Sequence, residues 1–523
     1  MGVSRTIDEL LTRGAADRPA IAASGRPALD HAGLRRQVAA AGEALGGLGV
    51  GPGDVVALVL PNGPEAATAF LAVASHAAAA PLNPAYTEAE LAFYLDDLEA
   101  SLVVVAPGEG GAAARRVAGE RGIALVELVV PDGAPAGVLD LRRAGDGESG
   151  RVDAMPGKGP AGRPRDRSRS DRPRDLALVL HTSGTTSRPK MVALTQANLC
   201  ASAANVAASL ALGPDDRCLN VMPLFHIHGL VAAVLASLAA GGSVFCAPGW
   251  NALRFFAWLE ESRATWYTAV PTIHQAVLDR APRNAEILER SGLRLVRSSS
   301  AALPPQVMAR LEQVFRAPVI EAYGMTEAAH QMASNPLPPR RREPGSVGIA
   351  AGPEIAVMDA GGRLLEPGEI GEVVIRGPSV TAGYLGDSEA TAAAFTDGWL
   401  RTGDQGWLDG EGYLRLTGRL KEIINRGGEK ISPREVDEAL LDHPAVAQAV
   451  TFALPDARLG EEVAAAVVLR DGAAATESEI RDFARARLAA FKVPRRVLFL
   501  AEIPKGATGK LQRIGLAEKL GLG

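Results

Sequence analysis

Cysteine is scarce. The 523 residues contain three, Cys200, Cys218 and Cys246, at spacings that suit neither a disulfide framework nor a zinc site, so a reducing, cytoplasmic setting is expected. No apolar stretch is long and uninterrupted enough to cross a bilayer, and the alanine-rich runs Ala72 to Ala80 and Val231 to Ala240 read as core helices. The first residues, Met1 to Leu11, carry no apolar signal core. There is no excess of positive charge either: the formal net charge is -5. Composition therefore points away from nucleic acid and from stable membrane insertion. Internal repeats are absent. So is a dinucleotide fingerprint, because Gly49, Gly51 and Gly53 precede the strand Val55 to Leu60 and read as a turn.

What is present is a long chain of ordinary globular composition, 47% hydrophobic and 22% charged, which implies two or more domains. Short apolar runs at Val55 to Leu60 and Ser101 to Ala106 alternate with helical stretches such as Glu65 to Ala80, the pattern of a doubly wound, mostly parallel α/β sheet. Arg142 to Arg174 is rich in Gly, Pro, Arg, Asp and Ser and is expected to be a flexible insertion. Between Gly361 and Leu416 short strands and frequent turns predict a β-rich subdomain. A compact α+β unit then follows. It opens on the helix start Ser432-Pro433-Arg434-Glu435, with a Ser cap, Pro in the first turn and Glu three residues on. The joint is placed near Lys421, giving domains 1–420 and 421–523.

The strongest local signal is His181-Thr182-Ser183-Gly184-Thr185-Thr186-Ser187-Arg188-Pro189-Lys190, which follows the apolar strand Leu176 to Leu180. Hydroxyls and backbone N–H groups in a tight loop suit phosphate oxygens, and Lys190 adds a point charge. A Walker A loop is excluded because Gly-Lys-Ser/Thr is missing. Five further segments agree: Pro223-Leu224-Phe225-His226 with His228; Ser298 to Leu303; Tyr323-Gly324-Met325-Thr326-Glu327, where a hydroxyl beside a carboxylate suits a phosphate-bound magnesium ion; Asp404 leading on to Arg419 and Lys421; and Pro504 to Lys510. Each alone has an ordinary reading. A lone histidine is more often structural, Asp404 caps a turn, and Lys510 is a solvated lysine.

Together and in this order, the six segments resemble the adenylate-forming superfamily of acyl-CoA synthetases, adenylation domains and luciferases, over nearly the whole chain. The resemblance implies a large N-terminal domain and a small mobile C-terminal domain. ATP, Mg²⁺ and coenzyme A are the expected cofactors and a small carboxylic acid the expected partner. It implies that Thr182, Ser183, Gly184, Thr185, Thr186 and Lys190 hold the ATP phosphates. Thr326 and Glu327 would place phosphate and metal, Asp404 and Arg419 the ribose, and Tyr323 with Ser300, Ala301 and Ala302 the adenine. Lys510 would reach the reacting carboxylate and α-phosphate, Lys421 would be the hinge, and His226 would sit where acyl group and thiol meet. Gly427 and Gly428 would border the pantetheine tunnel.

Within that superfamily the chain departs from common patterns at Ser187-Arg188, Met191, Ser298-Ser299-Ser300 and Asn425 to Ile431, and these segments resemble the oxalate–CoA ligase branch, from which Met191 alone departs. A second carboxylate buried with the substrate needs donors, and His226, His228, His330, Ser299, Ser300 and Gly324 are the residues expected around it. Other small, medium-chain or aryl acids, transfer to a carrier protein, and a non-catalytic nucleotide sensor stand as alternatives. Attack of a carboxylate on the α-phosphate brings two anions together, so the charge of Lys510 is expected to matter most in that step. Lys510→Ala is expected to lower ATP–pyrophosphate exchange by at least about 10²-fold while nucleotide binding persists. Exchange at the wild-type rate would remove Lys510 from the reaction.

Overall fold

The computed structural model describes residues 2–143, 172–182, 189–505 and 511–522. Most of the expected insertion, Ser183 to Arg188 of the phosphate loop, and Lys510 lie outside the described residues.

Two large sheets share one core. In the nine-stranded sheet, Val319–Met325, Leu295–Ser298, Trp266–Ala269, Arg217–Asn220, Ser243–Cys246 and Pro19–Ala22 pair in parallel in that order. In the seven-stranded sheet, Ala124–Val129, Leu102–Val105, Val55–Val59, Ala78–Pro81 and Leu176–His181 do the same. Parallel strands are covered on both faces, which is why their sequences are nearly unbroken apolar runs. The helix Pro64–His76 packs against strands of both sheets, and its Phe70 and Leu71 join Leu58, Leu178, Leu235 and Trp266 in one cluster.

Two sequence readings are corrected. The helix expected from Glu65 to Ala80 ends at His76, and Ala78–Pro81 is a fully buried strand between Val55–Val59 and Leu176–His181. Alanine favours helix intrinsically, but that preference amounts to fractions of a kcal/mol and tertiary pairing overrides it. The run Val231 to Ala240 is helical but not an ordinary α-helix. His228–Leu235 winds as a π-helix and Ala236–Ala239 continues as α. Wide π turns are rare and cluster at functional sites.

The expected β-rich segment forms a five-stranded antiparallel sheet of Glu354–Met358, Gly371–Arg376, Trp399–Leu408, Phe395–Thr396 and Leu414–Arg419. After the exposed turn at Lys421, a separate sheet gathers Ile424–Arg426, Glu429–Ile431, Gly460–Leu469, Val446–Asp456 and Arg496–Phe499. Its own core includes Ile424, Val436, Leu440, Val463, Val467 and Ile480. The helix Pro433–Leu441 starts as its sequence predicts, with the Ser432 hydroxyl accepting from the Glu435 N–H at 3.3 Å.

That helix rests on the N-terminal part. The Ser432 hydroxyl also donates to the Thr417 carbonyl, and Arg434 donates to the Leu416 carbonyl at 3.3 Å. Beneath it lies Glu321, 1% exposed, which accepts from the Leu303 N–H at 3.0 Å. Burial raises its carboxyl from 4.5 to about 7, against the pull of Arg434. A raised carboxyl is neutral in both states below 4.5. Between 4.5 and about 7 only the unfolded chain ionises, so stability falls as pH rises and stays low above that. The loss is about 3 kcal/mol. Glu321→Gln is expected to melt higher than wild type at pH 8 and about equal to it near pH 4.5, read by differential scanning calorimetry across pH. A gap that does not widen with pH would contradict this.

Candidate functional site

The long strand Trp399–Leu408 carries Asp404, which is 6% exposed. A carboxylate so placed needs donors. The Tyr323 hydroxyl, from the nine-stranded sheet, donates to Oδ2, and Arg419 Nε lies 3.1 Å from Oδ1. Asp404 beside it is the first cause that holds the Arg419 guanidinium above its usual value. Burial, then the Asp404 charge, pushes the Tyr323 phenol well above its usual value, so it stays a donor. Three of the expected nucleotide residues thus converge at one point.

Next to it, Tyr323 leads through Gly324 and Met325 to Thr326 and Glu327. Glu327 is 7% exposed and accepts from the Tyr384 hydroxyl at 3.1 Å. Burial is the main cause of its raised carboxyl pKa. The Lys190 ammonium sits 4.5 Å from the centroid of the same Tyr384 ring. Lys190 also closes the base of the phosphate loop: its N–H donates to Thr182 Oγ1 at 3.1 Å and its carbonyl accepts from the Thr182 N–H at 2.8 Å. Tyr384 therefore joins Lys190 to Glu327, a role that no sequence spacing announces. Met191, the odd residue after Lys190, packs with Leu385 in a neighbouring cluster.

A second, more buried group begins at His228, the first residue of the π-helix. Its Nδ1 is hydrogen-bonded to Ser300 Oγ at 3.0 Å and its Nε2 to Thr268 Oγ1 at 2.6 Å. Its ring centroid is 5.0 Å from that of His330. The His228 N–H donates to His226 Nδ1 at 3.3 Å, which leaves Nε2 to carry the proton of a neutral His226 ring. Gly229 permits this turn, because a Cβ there would lie 2.3 Å from the Pro223 carbonyl oxygen. Ser300 adopts φ +73° and His330 φ +106°, backbone conformations that cluster at functional sites. Beneath them Arg297 is fully buried and donates to Thr268 and Gln331. The sequence did carry a signal for it, an arginine inside the apolar strand Leu295–Ser298.

Other expected residues are placed differently. Ser299 is fully buried and donates to the Ala322 carbonyl at 2.9 Å, so its hydroxyl ties two strands together. Ala301 and Ala302 are exposed on the loop after Ser300. Gly427 and Gly428 form the exposed tip of the hairpin between Ile424–Arg426 and Glu429–Ile431, with φ +60° and +97°. In this structure they border the solvent.

Gly324 is required by close approach. A Cβ there would stand 1.7 Å from the His330 carbonyl oxygen, a backbone atom of the adjoining antiparallel strand. Gly324→Ala is expected to cost about 3 kcal/mol and to displace His330, seen as a lower melting temperature together with a loss of activity. A variant as stable and active as wild type would refute the tight crossing.

Comparison with known proteins agrees with this geometry. Residues 11–385 match the model of the AMP-binding enzyme family, and residues 435–510 that of the AMP-binding enzyme C-terminal domain. The probable CoA ligase CCL9 of Humulus lupulus is 48% identical over 98% of this chain and 96% of its own. The oxalate–CoA ligase of Arabidopsis thaliana is 46% identical over 95% and 94%. The crystal structure of ATP-bound MatB from Rhodopseudomonas palustris superposes with a TM-score of 0.85 at 30% identity, covering 98% of both chains. The chain belongs to the AMP-binding enzyme family and is an ATP-dependent acyl-CoA ligase.

Proposed function

We propose that the acid is oxalate, activated as oxalyl-AMP with release of pyrophosphate and then transferred to the thiol of coenzyme A. The observation that carries this reading is the buried polar group around His228. Imidazoles and hydroxyls, Ser300, Thr268 and His330 among them, gather there, and in this reading they line the acyl pocket, where a fatty-acyl tunnel would need aliphatic walls. The 46% identity to an oxalate–CoA ligase supports it.

In this reading Lys190 and the Thr182 loop hold the phosphates. Asp404, Tyr323 and Arg419 take the ribose and adenine side, with Ser300, Ala301 and Ala302 flanking the base. Glu327 fits magnesium: it is a buried carboxylate with no ion pair among the described residues, and one such carboxylate plus phosphates is an ordinary Mg²⁺ setting. When bound, the metal supplies positive charge to the phosphates. Thr326 and Glu327 hold it there, while Tyr384 fixes the Glu327 carboxylate. Lys510 brings its charge to the carboxylate and α-phosphate. His226, whose Nδ1 is held by the His228 N–H, sits on the acyl side in this reading. A joint at Lys421 between units 1–420 and 421–523 lets the C-terminal unit turn and carry Gly427 and Gly428 from solvent to the thiol path. The three buried free cysteines accord with work in the cytoplasm.

The test is AMP release dependent on both ATP and CoA, measured with oxalate, malonate, acetate, octanoate and 4-coumarate. The expected result is oxalate turnover at least about 10²-fold above each of the others in kcat/KM, the difference that unpaired buried polar groups impose on a wrong substrate. Preference for octanoate or 4-coumarate would refute the polar-pocket reading and leave the ligase chemistry standing.

A further inference from the structure

The proposed reaction leaves one charged side chain unused. Arg297 is fully buried, and no carboxylate pairs with it among the described residues. Its Nη1 donates to Thr268 Oγ1 at 3.3 Å and its Nη2 to Gln331 Oε1 at 3.1 Å, while Nε has no hydrogen-bond partner among the described residues. Burial lowers its pKa to about 9, so it remains a cation at neutral pH. A buried charge with no counter-charge is costly to keep. Hydrogen bonds to one hydroxyl and one amide satisfy donors, but they do not balance a charge.

The position explains what such a charge can do. Thr268 lies directly opposite Arg297 on the neighbouring parallel strand. The same Thr268 hydroxyl is bonded to His228, which is bonded to Ser300. Gln331 follows His330, whose ring lies 5.0 Å from that of His228. The guanidinium is thus linked through the Thr268 side chain to His228, and through its bond to Gln331 it is held to the residue that follows His330. It is sealed from solvent, so water screens its potential little and a unit charge stays effective over several ångströms. It does not itself reach the substrate, because none of its surface is open.

We infer that Arg297 is a positioning and specificity residue whose buried positive charge makes the acyl pocket favour an acid that carries a second negative charge over one of the same shape that does not. Resting on the oxalate reading, this names the part of the chain that tells oxalate from its neutral-tailed analogues. The second carboxylate provides the counter-charge that the fold withholds, and Thr268, His228 and Gln331 relay its placement.

The experiment compares oxalate with oxamate, which replaces one carboxylate by an amide of the same shape. It measures kcat/KM for both in wild type, Arg297→Gln and Arg297→Lys. Gln331→Glu serves as a second neutralising variant that keeps Arg297 and its packing. The expected result is an oxalate-to-oxamate ratio at least about 10-fold lower in Arg297→Gln and in Gln331→Glu. The change should lie in the KM for oxalate, with the KM for ATP unmoved. Arg297→Lys, which keeps the charge and alters the hydrogen bonds, should stay within about 3-fold of wild type. If the wild type uses oxalate and either neutralising variant folds and keeps the ratio, Arg297 is only a strut and the inference fails. If the wild type ignores oxalate but prefers another dianionic acid, the oxalate reading fails alone, and that acid with its monoamide puts Arg297 to the same test. Preference for a singly charged acid overturns both.

Discussion

One carboxylate holds the architecture to its purpose. Asp404 belongs to the β-rich sheet, Tyr323 to the large parallel sheet, and Arg419 to the strand that runs out to the C-terminal unit. Left without donors, a buried carboxylate would ionise only at considerable cost. Satisfied from two sides, it fixes the distance between two sheets and the exit of the chain. Lys421 follows Arg419 by two residues, so the turn that separates the two units is anchored at its base. The Leu420 N–H donates to the Gly403 carbonyl at 2.9 Å, and the Glu422 N–H to the Arg419 carbonyl at 2.8 Å.

Much of this was legible in the sequence, for particular reasons. Apolar runs such as Val55 to Leu60 and Leu176 to Leu180 can only be buried strands when punctuated at that spacing. The Ser432 cap and Pro433 announce a helix by local chemistry alone. Tyr323, Asp404 and Arg419 were singled out because their segments, in that order, resemble those of the adenylate-forming superfamily, and the structure brings the three side chains together. Ala78–Pro81 was not legible as a strand, since three alanines state no preference strong enough to outweigh their neighbours in space. Tyr384 was missed because its role is set by a cross-sheet meeting with Lys190 and Glu327, and neither lies near it in sequence. The place of Gly427 and Gly428 depends on how two units are oriented, which local pattern does not encode.

The two halves of the site differ in how they handle charge. On the proposed nucleotide side Asp404 has Arg419 opposite it and Glu327 has the Tyr384 hydroxyl turned toward it. On the proposed acyl side the groups are imidazoles and alcohols, backed by Arg297, with which no carboxylate pairs among the described residues. In that reading the acyl half is finished by what arrives. Such a division suits a ligase whose ATP is constant and whose acid must be chosen.

The buried cysteines have a practical side. Cys200, Cys218 and Cys246 are each 1% exposed or less, and burial pushes all three thiols up, Cys200 to about 12. Thiolate is the reactive form, so the native fold is silent toward maleimides and toward mixed disulfides of the thiol cosubstrate itself. A single cysteine introduced at the exposed turn residue Asp471 of the C-terminal unit would then be the one address for a fluorophore, and the proposed swing of that unit could be watched in an otherwise unmodified enzyme during turnover.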